Sequence, residues 1–264
     1  MSKRIEIVNT FYNRISEDNR LSGSRQGQLE YVTTMHYIRH FAKGGAKILE
    51  IGAGTGRYSI ALAKEGYEVT AVELVGHNLD ILKSNSEDLE NIHAFQGDAL
   101  ELGRFADNEF DITMVLGPLY HLYDAKDVHK ALDEAIRVTK EGGIILVAFL
   151  SVYAILFDNY LQGNIEAGLE ENFADDYRVK HFEEQLFTGY DIAEFEQLFA
   201  QKNVEYIVTV ATDSVLELAE GRSDFMMSDE EFERFTRYHL ATCEKRELLG
   251  CSSHLLYICK KKGI

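Results

Sequence analysis

The sequence is short of positive charge: 27 lysines and arginines stand against 44 aspartates and glutamates, a formal net charge of −17. It offers no positive field to a phosphate backbone, which argues against a nucleic-acid partner and equally against an acidic substrate. Cysteine is scarce. Cys243, Cys251 and Cys259 form no CxxC pair and no dense disulfide pattern, so they read as reduced thiols of a cytoplasmic protein and argue against metal binding. Long apolar runs are missing as well. Residues 1–14 hold no apolar stretch of the signal-peptide kind. The longest apolar run, residues 144–157, is broken at Ser151 and is shorter than the roughly 18 residues needed to span a bilayer. No membrane association is expected, and no repeat or low-complexity segment is visible. Proline occurs once, at Pro118.

Residues 47–57, Lys-Ile-Leu-Glu-Ile-Gly-Ala-Gly-Thr-Gly-Arg, carry the strongest local signal. Ile48, Leu49 and Ile51 form a short apolar run of the kind found in a parallel strand covered on both faces. Gly52, Gly54 and Gly56 let the chain turn tightly and let a ligand approach closer than any Cβ would allow. The following helix start offers unpaired N–H groups. A dinucleotide fingerprint wants G-x-G-x-x-G. Here the third glycine comes one residue early, and Arg57 stands where that fingerprint has glycine.

With Glu50 ahead of the turn, the stretch resembles the first motif of class I S-adenosylmethionine-dependent methyltransferases, acidic-x-Gly-x-Gly-x-Gly. The resemblance implies S-adenosylmethionine as cofactor, held by Glu50, Gly52, Ala53, Gly54 and Gly56. Glu73 ends the second expected strand about twenty positions later, where a carboxylate accepts from ribose hydroxyls; Leu74 follows it. After the third strand, residues 92–96, Asp98 and Ala99 match the family's adenine-binding position. Asp98 also suits the N-cap of the short segment that follows.

The fourth strand, residues 110–116, ends at Leu116, which the resemblance assigns to the cofactor, and runs into Gly117-Pro118-Leu119-Tyr120-His121-Leu122-Tyr123. Pro118 fixes its own φ and restricts Gly117, so the chain must turn at the mouth of the sheet. Family members place residues beside the reactive methyl group here. His121 and Tyr120 are the catalytic candidates, His121 as general base or substrate orienter. Tyr12, Tyr120 and Tyr123 are the candidates for contacting the substrate. Packing, or pairing with a carboxylate, is the other reading of His121. His36 and His40 lie four apart, but no HExxH glutamate accompanies them, and no metal site is expected.

Strands and helices alternate through residues 47–150, which predicts an α/β fold: a doubly wound, mostly parallel seven-stranded sheet with an antiparallel last strand. One domain is expected over residues 1–264. Its core is 44–150 and 191–264, with N-terminal helices in 1–43 and an aromatic, acidic lid insertion at 151–190. Residues 5–15 are expected as helix or coil and 16–26 as a polar connection. A capping box at Ser228 opens a helix in the insertion between the last two strands. No Asn-Pro-Pro-Tyr or Asp-Pro-Pro-Tyr follows the fourth strand. With the acidic charge this favours a small-molecule substrate over DNA or RNA and leaves protein substrates open; methyl transfer to an oxygen or nitrogen of a small molecule is the expected reaction. A non-catalytic S-adenosylmethionine-binding module and an NAD-dependent oxidoreductase are the alternatives.

Overall fold

The computed structural model describes residues 3–14 and 20–263. Two helices come first, α1 (Lys3–Tyr12) and α2 (Arg25–Phe41). Ser24 caps α2, its hydroxyl accepting the Gly27 N–H, so the polar residues Arg25 and Gln26 form the first helical turn instead of a connection. Residues 16–19 of that expected connection lie outside the described residues. Leu29, Met35 and Ile38 turn inward, while His36 and His40 are exposed and only edge against Tyr37 and Phe41.

The alternation follows as β1 (Lys47–Ile51), α3 (Arg57–Lys64), β2 (Glu68–Glu73), α4 (Gly76–Asn85), β3 (Ile92–Gln96) and β4 (Phe110–Val115). After a 3₁₀ turn at Pro118–His121 come α5 (Ala125–Val138) and β5 (Thr139–Ser151). The strands are continuous apolar runs because helices cover both faces; β1 and β4 are buried along nearly their whole length. In α5, Val128, Leu132, Ala135 and Ile136 share the buried face that packs on β4 and β5. β5 starts earlier than the apolar run from Ile144 indicates, because Gly142 at φ +75° carries the chain round a register shift.

The remaining elements are α6 (Val152–Tyr160), α7 (Ile165–Asn172), β6 (Gly189–Tyr190), α8 (Ile192–Gln197), β7 (Val204–Ala211), α9 (Leu216–Glu220), α10 (Asp229–Thr242), α11 (Arg246–Leu249) and β8 (His254–Lys261). Ser228 and Glu231 form the capping box of α10. The sheet order is β3-β2-β1-β4-β5-β8-β7. Those seven strands are the expected ones, and β8 runs antiparallel to both neighbours. The two-residue β6 adds an eighth strand beside the end of β5. Phe149 stacks on Phe195 at 3.8 Å between ring centres and Phe199 on Tyr257 at 4.1 Å, which locks β5, α8 and β8 together. No helix among the described residues is long and apolar enough to cross a membrane.

Because β8 is antiparallel, its first residue lies level with the carboxyl ends of the parallel strands, and Leu150 pairs with His254. The loops after β1, β2, β3 and β4 and the loop before β8 therefore converge on one edge of the sheet. In open α/β sheets this edge is where ligands bind.

Candidate active site

A cavity of about 840 Å³ opens at that edge. Its inner wall is the glycine turn. Gly52 and Ala53 both donate to Val72 O, which ties the turn to β2. The three glycines have positive φ for different reasons. A Cβ on Gly52 would lie 2.6 Å from Pro118 Cδ, and one on Gly56 would lie 2.7 Å from Leu82 Cγ. At Gly54, φ +55°, a Cβ would meet nothing within 4 Å, since that position faces the open cavity. Gly56 thus packs at the start of α3 and is not among the residues that line the cavity.

Glu73 braces the turn. Its Oε2 accepts Gly54 N–H at 2.8 Å and its Oε1 accepts Val75 N–H at 2.8 Å, so a buried carboxylate is held by two backbone donors on the cavity wall. Glu50 lies behind it, bonded by the Ser59 hydroxyl. Burial pushes the Glu50 carboxyl up to about 8, with the Ser59 bond opposing and the Glu73 charge adding to the shift. Near neutral pH it holds a proton.

Asp98 does two jobs. Its Oδ1 accepts Leu100 N–H at 3.1 Å, the capping role its sequence context also suggests. Its Oδ2 pairs with the buried guanidinium of Arg4, which α1 lowers onto the cavity. Ala99, Leu74 and Leu116 complete the wall around it.

At the far side the 3₁₀ turn presents Tyr120 and His121 inward. His121 Nδ1 lies 2.6 Å from Leu186 O, and a carbonyl only accepts, so Nδ1 carries the proton. Nε2 is then the acceptor for the Tyr12 hydroxyl at 2.9 Å. Burial pulls the His121 pKa down to about 4, against the Leu186 bond, so the ring is neutral across physiological pH. Tyr12 comes from α1, whose Phe11 also edges against Phe187. Tyr123 is half-buried and is not among the residues that line the cavity, whereas Tyr120, His121 and Leu122 are.

Residues 49–147 match the family model for a methyltransferase domain. Over those residues the chain is similar to methyltransferases, and its sheet has the fold of the class I S-adenosylmethionine-dependent enzymes. It is similar to the demethylmenaquinone methyltransferase of Staphylococcus haemolyticus, 28% identical over 216 residues, covering 76% of this chain and 86% of the relative. A demethylmenaquinone methyltransferase of Staphylococcus aureus (strain JH9) is 35% identical over 126 residues, covering 43% of this chain; there the match spans only 50% of the relative's length. In three dimensions it resembles a solved S-adenosylmethionine-dependent methyltransferase of Methanosarcina mazei, with a TM-score of 0.57 at 16% identity, covering 86% of this chain and 97% of the other.

The fold gathers Glu50, Gly52, Ala53, Gly54, Glu73, Leu74, Asp98, Ala99, Leu116, Tyr12, Tyr120 and His121 around one cavity. Sequence reasoning missed a second set of wall residues. Arg20 forks onto Glu30 at 2.7 and 3.0 Å, and His254 Nδ1 bonds Asp213 Oδ2 at 2.7 Å. Asp213 is fully buried and also accepts from Ser252, Gln26 and the backbone of Ser253 and His254. Burial would lower the His254 pKa, but Glu30 and Asp213 overcome it and hold the imidazole up at about 9. Glu30, Asp213 and His254 stand close enough to share an ion. Arg20 and Gln26 already direct their donors at the same carboxylate oxygens. No spacing rule links residues so far apart, and the only hint was that the insertion before β8 could reach the pocket.

Proposed function

We propose that this methyltransferase transfers the methyl group of S-adenosylmethionine to an oxygen or nitrogen of a small-molecule acceptor. One observation carries the reading: a single cavity joins the Gly52–Gly54 turn, Glu73 and Asp98 to Tyr12, Tyr120 and His121. The residues fit the cofactor, since Gly54 leaves open a cradle that a side chain would fill. Glu73 would accept from ribose hydroxyls and Asp98 from the adenine amino group, each through lone pairs beyond those given to the backbone and Arg4. Ala53, Leu74, Ala99 and Leu116 would shape the apolar surround, and Glu50 would back the turn in its protonated form.

When bound, the cofactor supplies a sulfonium-activated methyl, so the protein's part is to align, orient and exclude water. Alignment of a nucleophile can lower the barrier by about 7 kcal/mol or more. His121 is neutral, and its tautomer is fixed by Leu186 O, so its Nε2 is the lone pair able to take a proton from an acceptor hydroxyl or amine. Tyr12 holds that nitrogen until the acceptor replaces its hydroxyl. The relatives named for demethylmenaquinone are in keeping with an acceptor of small-molecule class.

Isothermal titration with S-adenosylmethionine, S-adenosylhomocysteine and NAD, followed by an acceptor screen, tests the reading. Micromolar binding of both adenosyl ligands with methylation of an amine or alcohol is the expected result. Binding of NAD alone, or adenosyl binding without transfer to any acceptor class, would reject it.

A further inference from the structure

The cavity's charges do not balance. Each basic side chain on its wall is engaged: Arg4 with Asp98, Arg20 with Glu30, His254 with Asp213, and Arg57 over the Tyr31 ring at 5.1 Å. Glu171 accepts the Tyr160 hydroxyl; in the corner beside His254, two more carboxylates have no cation of their own among the described residues. Asp158, from α6, accepts only the Ser253 hydroxyl at 3.0 Å. Glu217, from α9, comes no nearer than 4.0 Å to His254 Nδ1, which Asp213 already holds. Burial, with the repulsion of Glu217 added to it, pushes Asp158 up to about 6.

Two further groups on the same cavity wall are unsatisfied. Tyr120 is 8% exposed, beside His254 with ring centres 5.9 Å apart, and its hydroxyl has no hydrogen-bond partner among the described residues. Gln185 is 8% exposed and its Oε1 is likewise without a donor. A buried acceptor left open in a walled cavity is costly unless a ligand brings the donor. Carboxylates short of a cation and oxygens short of a donor ask for the same thing, a positively charged group bearing N–H or polarised C–H.

Resting on the reading of this cavity as a cofactor and acceptor site, we propose that the corner formed by Asp158, Glu217 and Tyr120 docks a cationic nitrogen of the methyl acceptor, an ammonium group. The carboxylates neutralise it, and Tyr120 offers its hydroxyl oxygen and ring face alongside. A divalent metal is the competing occupant. It would need the lone pairs of Glu30 and Asp213 that Arg20 and Gln26 now occupy.

Three probes of one shape separate the outcomes: benzylamine, benzyl alcohol and benzoate, titrated at neutral pH into protein saturated with S-adenosylhomocysteine. Failure of S-adenosylhomocysteine itself to bind would count against the cofactor reading and not against this corner. With it bound, benzylamine is expected to bind tightest. Asp158→Asn and Glu217→Gln should each weaken benzylamine about tenfold while leaving S-adenosylhomocysteine affinity and the melting temperature near those of the parent. Benzyl alcohol or benzoate binding as tightly as benzylamine, or an Asp158→Asn/Glu217→Gln double variant binding benzylamine undiminished, would overturn the proposal. So would displacement of benzylamine by magnesium or manganese at stoichiometric concentration.

Discussion

The Tyr12 hydroxyl meets His121 Nε2 at 2.9 Å across 109 residues of sequence, joining α1 to the turn after β4. The pair closes one end of the cavity. It also sets the terms on which His121 can act, because its other nitrogen is committed to Leu186 O. General base catalysis contributes about 10²–10⁴-fold where it operates. His121→Ala is therefore expected to lower kcat by about a hundredfold or more, with S-adenosylmethionine affinity within about twofold. Equal turnover in a folded variant would remove His121 from the mechanism.

The low His121 pKa has a consequence for stability. The ring takes up a proton in the unfolded chain below about 6.5 but in the folded protein only below about 4. The unfolded state binds more protons between these values, so stability is full above that window and is lost as pH falls through it. Melting temperatures of the parent should drop more steeply over this range than those of His121→Gln. Parallel curves would contradict it.

Gly52 and Gly54 should fail in different ways. Gly52→Ala drives a Cβ against Pro118, so it is expected to cost about 1–3 kcal/mol of stability. Gly54→Val has open space but the wrong backbone preference, and its side chain projects into the cradle. It should melt close to the parent, within about 2 kcal/mol, and lose S-adenosylmethionine binding. A calorimetric titration beside a thermal melt distinguishes them; retained affinity in Gly54→Val would reject the cradle.

Glu50 titrates the other way from His121. Its pKa rises to about 8 in the fold, so the folded state holds the extra proton between the ordinary carboxylate value and about 8. Stability accordingly declines as pH rises through that interval. Glu50→Gln removes the decline, and its advantage over the parent should grow with pH and level off above about 8. Chemical denaturation at a series of pH values measures it, and a constant difference would show that Glu50 is ionised in the fold.

The Asp213–His254 pair predicts loss at the alkaline end. The His254 pKa is raised to about 9; its stabilisation is fully present below the unfolded value of about 6.5 and is lost as pH rises through about 9. Asp213→Asn strands a buried imidazole and should cost about 3–5 kcal/mol near neutrality. The deficit should shrink as pH rises. A deficit independent of pH would mean that His254 is neutral throughout.

The glycine-turn side of the cavity was legible in the sequence, because the glycine turn, Glu73 and Asp98 each stand at or just after the end of a strand. Local pattern fixed where those residues stand along the chain, and the parallel order of the sheet brought them together. Orientation within a turn was not legible: Gly56 and Tyr123 share stretches with site residues yet face elsewhere, since a 3₁₀ turn or a helix start moves a side chain by a large fraction of a revolution per residue. Pairings between distant segments were beyond reach. Arg4 meets Asp98 across 94 residues and His254 meets Asp213 across 41, and nothing in either neighbourhood names its partner.

The cavity takes Arg4 from α1 and His254 from β8, residues from opposite ends of the sequence, and encloses its space only when both have arrived. A chain emerging from a ribosome has made the glycine turn and Glu73 long before the wall opposite them exists. Ligand capture is thus an event of the finished molecule. Binding should couple to the cooperative folding of both ends, and fragments holding the whole 49–147 match should be blind to the ligand that the intact protein takes up.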